Sequence, residues 1–167
     1  MISGLLINNC IAIREPKENP DTQHCELSKF SLSSQSNAAA ALDWLEKENF
    51  DNSQCWISGF SFGSLIAMQL LMRRPEINRF VAISPQPNVY DFSFLTPCPA
   101  SGIIISGKKD ELVPFESINE LNKRLSAQKG IKVEFDIIAD SNHFFSKADD
   151  KLIKSLNNYI TKETALY

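Results

Sequence analysis

The chain has 167 residues, of which 43% are hydrophobic and 22% are charged, and its formal net charge is −3. This length is enough to bury a core, so we expect a single domain over residues 1–167. The basic residues occur as scattered pairs, which argues against a nucleic-acid-binding surface and against binding to anionic membranes. The composition is that of an ordinary soluble globular protein.

Metal-binding patterns are missing from the sequence. The chain has four cysteines and two histidines, which are Cys10, Cys25, Cys55, Cys98, His24 and His143. They form no C-x-x-C pair and no Cys/His ligand spacing, so we expect neither a metal nor another cofactor. Cys10 and Cys55 lie in apolar runs and are expected to be small buried side chains. A reducing, cytoplasmic environment fits these unpaired thiols best.

The first 36 residues give few regular signals. Residues 1–13 are apolar, but they lack a basic n-region and a small-residue cleavage site, so we predict a core strand near 9–14 rather than a signal peptide. Residues 15–36 show no sustained period and predict a loop. His24 lies in this loop, where a histidine is usually only solvated.

From residue 37 onward, helix-like and strand-like segments alternate. We predict helices over 37–48, 62–74, 115–128 and 147–161, and strands over 54–58, 79–83, 102–106 and 132–138. A proline-rich loop is predicted over 84–99. Strands separated by helices or long connections imply parallel crossovers. The predicted fold class is α/β, an open and mostly parallel sheet with helices on both faces.

Gly59-Phe60-Ser61-Phe62-Gly63 stands between a predicted strand and a predicted helix. A chain that turns sharply from a strand into a helix while presenting a serine hydroxyl has no room for a Cβ at the flanking positions. Glycine occupies both of those positions here. The segment therefore predicts a nucleophile elbow with Ser61 as the nucleophile.

An acid and a base follow two later strands of the predicted sheet, Asp110 after 102–106 and His143 after 132–138. Reactive groups in open α/β sheets collect at the carboxyl ends of the strands. We therefore expect His143 to act as the base for Ser61 and Asp110 to orient the imidazole. The backbone N–H of Phe62, which opens the helix after the elbow, is the predicted oxyanion donor.

Several alternatives stay open at this stage. Asp140 is a rival acid, although Asp110 better fits the order serine, acid, histidine. Ser61 in a turn without function and His143 as a structural loop residue are weighed against the catalytic roles. Cys55 and Cys98 are weaker nucleophile candidates because no base signal lies near them.

Aromatic residues near the elbow and in the proline-rich loop are candidates for contacts with a substrate. Phe60, Phe92 and Phe94 are the predicted substrate-binding residues. Aromatic residues in such a loop are more often packing residues, so packing is the alternative for Phe92 and Phe94.

Several segments together resemble a family of small, lidless bacterial α/β-hydrolases related to dienelactone-hydrolase-like esterases. They are Ala40-Leu-Asp-Trp-Leu45, Ser58-Gly-Phe-Ser-Phe-Gly63, Tyr90-Asp-Phe-Ser-Phe-Leu95, Gly107-Lys-Lys-Asp-Glu-Leu-Val-Pro114 and Asn142-His-Phe-Phe145. The resemblance runs from about residue 37 to the C-terminus. It implies a serine hydrolase that acts on carboxylic esters or similar acyl compounds, with Ser61, Asp110 and His143 as its triad.

The chain departs from this family before residue 37. The family's early His-Pro-rich or Gly-rich loop, which supplies the second oxyanion donor, and its Arg-Gly-x-Gly stretch are not found. We therefore expect the N-terminal strands of the sheet to be reduced or missing. One hypothesis is a minimal esterase for a small-molecule acyl substrate, completed by a homodimer through an exposed sheet edge. The alternative is a truncated, weakly active or inactive remnant that acts as a binding or interaction module.

Overall fold

The protein is represented by a computed structural model that describes residues 10–13, 24–47 and 55–165, with side chains at 33–44, 47 and 55–165. The described strands are β1 (Cys10–Ile13), β2 (Cys55–Phe60), β3 (Ile77–Ile83), β4 (Ser101–Gly107) and β5 (Val133–Ile138). The described helices are α1 (His24–Lys47), α2 (Phe62–Leu71), α3 (Phe115–Ser126) and α4 (Asp149–Thr164).

The five strands form one sheet in the order β1-β2-β3-β4-β5, so spatial order equals chain order. Each neighbouring pair is parallel. The central strands are apolar on both faces, as expected for parallel strands that are covered on both sides. Because all five strands run in one direction, the loops after them open at a single edge of the sheet.

Helices cover both faces of this sheet, which confirms the predicted α/β architecture. On one face α1, α2 and α3 pack around a core that includes Leu42, Ile66 and Leu121. On the other face α4 packs through Tyr159 against Trp56 and its neighbours. Nine of the ten residues of α2 are buried, because the sheet lies on one side of this helix and α1 on another.

The most important difference from prediction is the start of α1. The helix begins at His24, so the predicted loop is wrong over residues 24–36. The intrinsic helix propensity of residues 24–36 is weak, but tertiary contacts stabilise the helix. The side chain of Gln35 is hydrogen-bonded to Gln69 of α2, and its Oε1 accepts a hydrogen bond of 2.8 Å from Arg73.

The other predicted elements are present with shifted ends. Strand β1 lies within the predicted strand near 9–14. Helix α2 ends at Leu71, before the predicted end at 74, and α4 runs from Asp149 to Thr164, later than predicted. The predictions for residues 1–9 and 14–23 lie outside the described residues. Within the described part of the chain, none of the helices has the length and apolar character needed to cross a bilayer.

Candidate active site

Ser61 lies in a strained turn between β2 and α2. Its backbone has φ 54° and ψ −121°, and it is the N-cap of α2. A Cβ on Gly59 would lie 2.2 Å from the carbonyl oxygen of Gly63, so the close approach of strand and helix requires glycine there. The N–H of Ser61 donates to the carbonyl oxygen of Ile83 at 2.8 Å, which fixes the turn against β3. The predicted strand–turn–helix geometry is present.

A second serine stabilises the same turn. The buried hydroxyl of Ser64 lies 2.7 Å from the carbonyl oxygen of Gly59 and 3.0 Å from that of Ile83. It therefore links the first turn of α2 to the ends of β2 and β3. Sequence reasoning missed Ser64, because a serine in a largely apolar helix gives no local sign of what it binds.

The structure brings Ser61, His143 and Asp110 together at the carboxyl edge of the sheet. The Nε2 atom of His143 lies 2.9 Å from Ser61 Oγ, and its Nδ1 atom lies 2.7 Å from Asp110 Oδ2. An ionised carboxylate only accepts hydrogen bonds, so it favours the tautomer with the proton on Nδ1. In that tautomer Nε2 presents its lone pair to the serine hydroxyl.

All three side chains are withdrawn from solvent. The side chains of His143 and Asp110 are 1% and 3% exposed, and Ser61 is 6% exposed. Backbone groups hold the carboxylate in place, because Asp110 Oδ1 accepts hydrogen bonds of 2.9 Å from the N–H groups of Leu112 and Val113. One carboxylate oxygen is therefore bound to the backbone and the other to the imidazole.

Asp140, the rival acid, lies elsewhere. Its side chain is 70% exposed and forms an ion pair of 2.7 Å with Lys109. The hydrogen bond and the charge of Lys109 lower the pKa of Asp140, and Asp140 in turn raises the pKa of Lys109. Of the two acids that the sequence left open, the structure places Asp110 against His143.

The histidine loop, which is residues 139–148 between β5 and α4 and carries His143, is bound to the ends of β3 and β4. Ser84, which is fully buried and has φ 45°, donates from Oγ to the carbonyl oxygen of His143 at 2.9 Å. Its own N–H donates to the carbonyl oxygen of Ile105 at 2.8 Å. Sequence reasoning missed Ser84; the available signal was a serine directly after a strand at the reactive edge of the sheet.

Gly107 is the second contact point of this loop. A Cβ on Gly107 would lie 2.4 Å from the carbonyl oxygen of Ser141 and 2.6 Å from that of Asn142. The same carbonyl of Ser141 accepts a hydrogen bond of 2.9 Å from the N–H of Lys109. The histidine loop therefore lies directly on the end of β4, and only glycine permits that approach.

The three predicted substrate-binding aromatic residues have different surroundings. Phe60 is half-buried, and its ring centroid lies 5.6 Å from that of His143. Phe92 is 2% exposed and belongs to the core, and Phe94 stacks on it at 6.1 Å. Burial of Phe92 favours the packing alternative for that pair, whereas Phe60 lies beside the imidazole.

Phe62 is the first residue of α2, directly after Ser61, and its ring packs against Tyr90 at 5.4 Å. The prediction of a missing second oxyanion loop concerns residues outside the described ones. Ile13, the last residue of β1, pairs with Gly59 beside the elbow, and the described chain resumes at His24.

The remaining candidates lie away from this chemistry. Cys55 is 1% exposed within β2. Cys98 is 5% exposed, its Sγ lies 3.4 Å from the carbonyl oxygen of Ala100, and burial raises the pKa of its thiol. The raised pKa disfavours a thiolate nucleophile at Cys98, and burial withdraws Cys55 from a substrate. Among the residues with described side chains, no group of three or more His, Cys, Asp or Glu is arranged to hold a metal ion.

Comparison with known proteins gives a consistent family. The sequence profile of the dienelactone hydrolase family matches residues 12–165. An uncharacterized protein of Rickettsia prowazekii is 48% identical over 128 residues, which cover 74% of this chain and 54% of that protein. This chain thus spans about half the length of that relative.

Solved structures agree with this result. A candidate alpha/beta hydrolase of unknown function from Agrobacterium tumefaciens matches with a TM-score of 0.77 and 46% identity, over 79% of this chain and 61% of that one. An alpha-beta serine hydrolase homologue from Coxiella burnetii matches with a TM-score of 0.66 and 25% identity, over 84% of this chain and 62% of that one. The observed sheet and helices are those of the α/β-hydrolase fold.

Proposed function

Because the chain belongs to the dienelactone hydrolase family, we propose that it is a serine hydrolase that cleaves carboxylic esters or related acyl compounds. The observation that carries this proposal is the hydrogen-bond chain from Ser61 through His143 to Asp110, with distances of 2.9 Å and 2.7 Å. The serine hydrolase homologue from Coxiella burnetii supports the same chemistry.

In the proposed reaction Ser61 Oγ attacks the carbonyl carbon of the ester while its proton moves to Nε2 of His143. The carboxylate of Asp110 stabilises the imidazolium that forms. The tetrahedral intermediate then expels the alcohol, which takes the proton from Nε2, and leaves an acyl group on Ser61. A water molecule, deprotonated by His143 in the same way, releases the acid and regenerates the serine.

Negative charge develops on the carbonyl oxygen during both steps and requires fixed donors. We propose the backbone N–H of Phe62 as one donor, because Phe62 follows the nucleophile and opens α2. The positive end of the helix dipole adds to the stabilisation. Loss of a single oxyanion donor typically lowers turnover about 100- to 1000-fold, so the number of donors decides how fast the enzyme is.

A second candidate function follows from the comparison with relatives. The matched region is 54% of the Rickettsia prowazekii protein and 61% of the Agrobacterium tumefaciens structure. A chain that retains the elbow but little or no turnover would act as a binding or interaction module. The buried carboxylate of Asp110 accepts two backbone hydrogen bonds and contacts His143, which favours the enzyme, since a residue released from catalysis does not require this arrangement.

The direct test is labelling with a fluorophosphonate probe, followed by peptide mapping. We expect one adduct, on Ser61, in the folded protein. Ser61→Ala should abolish labelling and lower hydrolysis of 4-nitrophenyl acetate at least about 1000-fold. Ser126→Ala is the matched control, and we expect it to keep native labelling and hydrolysis. Ser126 is exposed on α3, and its hydroxyl donates a hydrogen bond to Asn122 of the same helix.

The result that contradicts the enzyme is a folded protein that neither reacts with the probe nor hydrolyses the ester above the rate of Ser61→Ala. That result would favour the binding module. Circular dichroism spectra of both variants, compared with that of the native protein, show whether an inactive variant is still folded.

A further inference from the structure

Two phenylalanine rings lie beside the proposed base. Phe60 is the last residue of β2, and Phe144 directly follows His143. The ring centroid of Phe144 lies 5.0 Å from that of His143, at an interplanar angle of 84°, and 6.1 Å from that of Phe60. Phe60 lies 5.6 Å from His143. The three rings therefore form one contiguous group at the active site.

Core packing does not explain the position of Phe144, since 64% of this residue is exposed. The next residue, Phe145, has φ 55°, and its side chain is packed into the core, where it is 1% exposed. Asn142 fixes this turn, because its carbonyl oxygen accepts the N–H of Phe145 at 3.2 Å and its Oδ1 accepts the N–H of Ser146 at 2.9 Å. The loop thus holds an apolar ring in water against the imidazole.

We propose that Phe60 and Phe144 form the subsite for the alcohol part of the ester, which favours esters of aromatic or other flat apolar alcohols. The inference rests on the proposed hydrolase function. Phe144 is exposed and Phe60 is half-buried, and such an aromatic pair gains stabilisation when a third flat apolar group covers its exposed surface.

The chemistry of the acylation step places the alcohol there. When the tetrahedral intermediate breaks down, the bond from carbon to the alcohol oxygen breaks, and that oxygen takes the proton from Nε2 of His143. The leaving oxygen must therefore come within hydrogen-bond reach of the atom that lies 2.9 Å from Ser61 Oγ. Among the described residues, Phe60 and Phe144 are the aromatic rings in contact with the imidazole, so we expect a substituent on this oxygen to come close to them.

The test compares benzyl acetate with 2-methoxyethyl acetate. Both esters form the same acetyl-enzyme and release alcohols of comparable acidity, so the ratio of their kcat/KM values reports the alcohol subsite. We expect the native protein to prefer benzyl acetate, and Phe144→Ala to lower this ratio about tenfold. Phe144→Ala should fold, since most of the side chain is in solvent.

Trp44→Ala is the matched control. Trp44 is also an exposed aromatic residue, with 54% of its surface accessible. It lies in the last turn of α1, which precedes β2 in the chain, and therefore near the amino ends of the strands, whereas His143 lies at their carboxyl ends. We expect this variant to keep the native ratio. A lower ratio in Phe144→Ala together with an unchanged ratio in Trp44→Ala supports the subsite.

Two outcomes would overturn the subsite alone. The first is hydrolysis of both esters with a ratio that Phe144→Ala does not change. The second is an equal loss for both esters with slower fluorophosphonate labelling, which would make Phe144 a positioning residue for His143. If neither ester is hydrolysed and Ser61 is not labelled, the proposed function fails as well. The labelling experiment therefore separates the two failures.

Discussion

At the scale of single residues, the environments of two aspartates differ most clearly. Asp110 is buried, binds two backbone N–H groups and contacts His143, whereas Asp140 points into solvent beside Lys109. A carboxylate orients an imidazole only when its own position is fixed, and only Asp110 meets this condition. The two residues therefore give a matched pair of substitutions.

We predict that Asp110→Asn lowers kcat for ester hydrolysis by about 10⁴-fold, because the amide no longer selects the Nδ1–H tautomer of His143. Asp140→Asn should stay within about twofold of the native rate. Steady-state kinetics with 4-nitrophenyl acetate measures both. Equal effects of the two substitutions would be inconsistent with the proposed role of Asp110.

The same residues show what a sequence can and cannot predict. Ser61, Asp110 and His143 were predictable because each follows a strand and all parallel strands end at one edge. Ser84 also follows a strand, but its partner was not predictable, because its hydroxyl binds the carbonyl of His143, a residue far away in the chain. Burial of Phe92 and the early start of α1 were likewise decided by tertiary contacts. Such contacts leave no local periodic signal.

At the scale of elements, the end of β4 and the histidine loop fit together without a gap. Gly107 allows this contact, because a Cβ would be 2.4 Å from the backbone of Ser141. The backbone cannot move aside as a flexible side chain can. The position of the imidazole is therefore coupled to Gly107, a residue outside the proposed triad.

Gly107→Ala should displace the histidine loop and lower kcat/KM about 100-fold, the usual effect of misplacing a catalytic group by about 1 Å. Gly130→Ala is the control. Gly130 has open space around it but a φ of 87°, so we expect the variant's free energy of unfolding to fall by about 1 kcal/mol and its activity to stay native. Kinetics and urea unfolding of both variants check this. Native activity in Gly107→Ala would argue against the coupling.

At the scale of the whole molecule, the two edges of the described sheet differ. Strand β5 forms one edge, where Glu134 is ion-paired with Lys132 and Lys162. Charges on an edge strand oppose pairing with another chain. Strand β1 forms the other edge, and β2 is its one neighbour in the sheet of the described residues. The proposed homodimer should therefore use β1.

We predict that light scattering after gel filtration gives a molar mass that rises with concentration from 18.8 kDa towards twice that value. Glu134→Gln should leave this association unchanged, because β5 is not the paired edge. A constant monomer mass at high concentration would refute the dimer, and a stronger association of Glu134→Gln would assign it to β5 instead.

The sheet order, in which every strand lies beside the one before it, also has a consequence for biosynthesis. During synthesis the elbow at Ser61 emerges before the carboxylate of Asp110, and His143 emerges last of the three, after β5. A nascent chain that has emerged as far as α3 holds the proposed nucleophile without a base to activate it. The proposed triad is thus complete only after the loop that follows β5 has been synthesised and lies against Ser84 and Gly107.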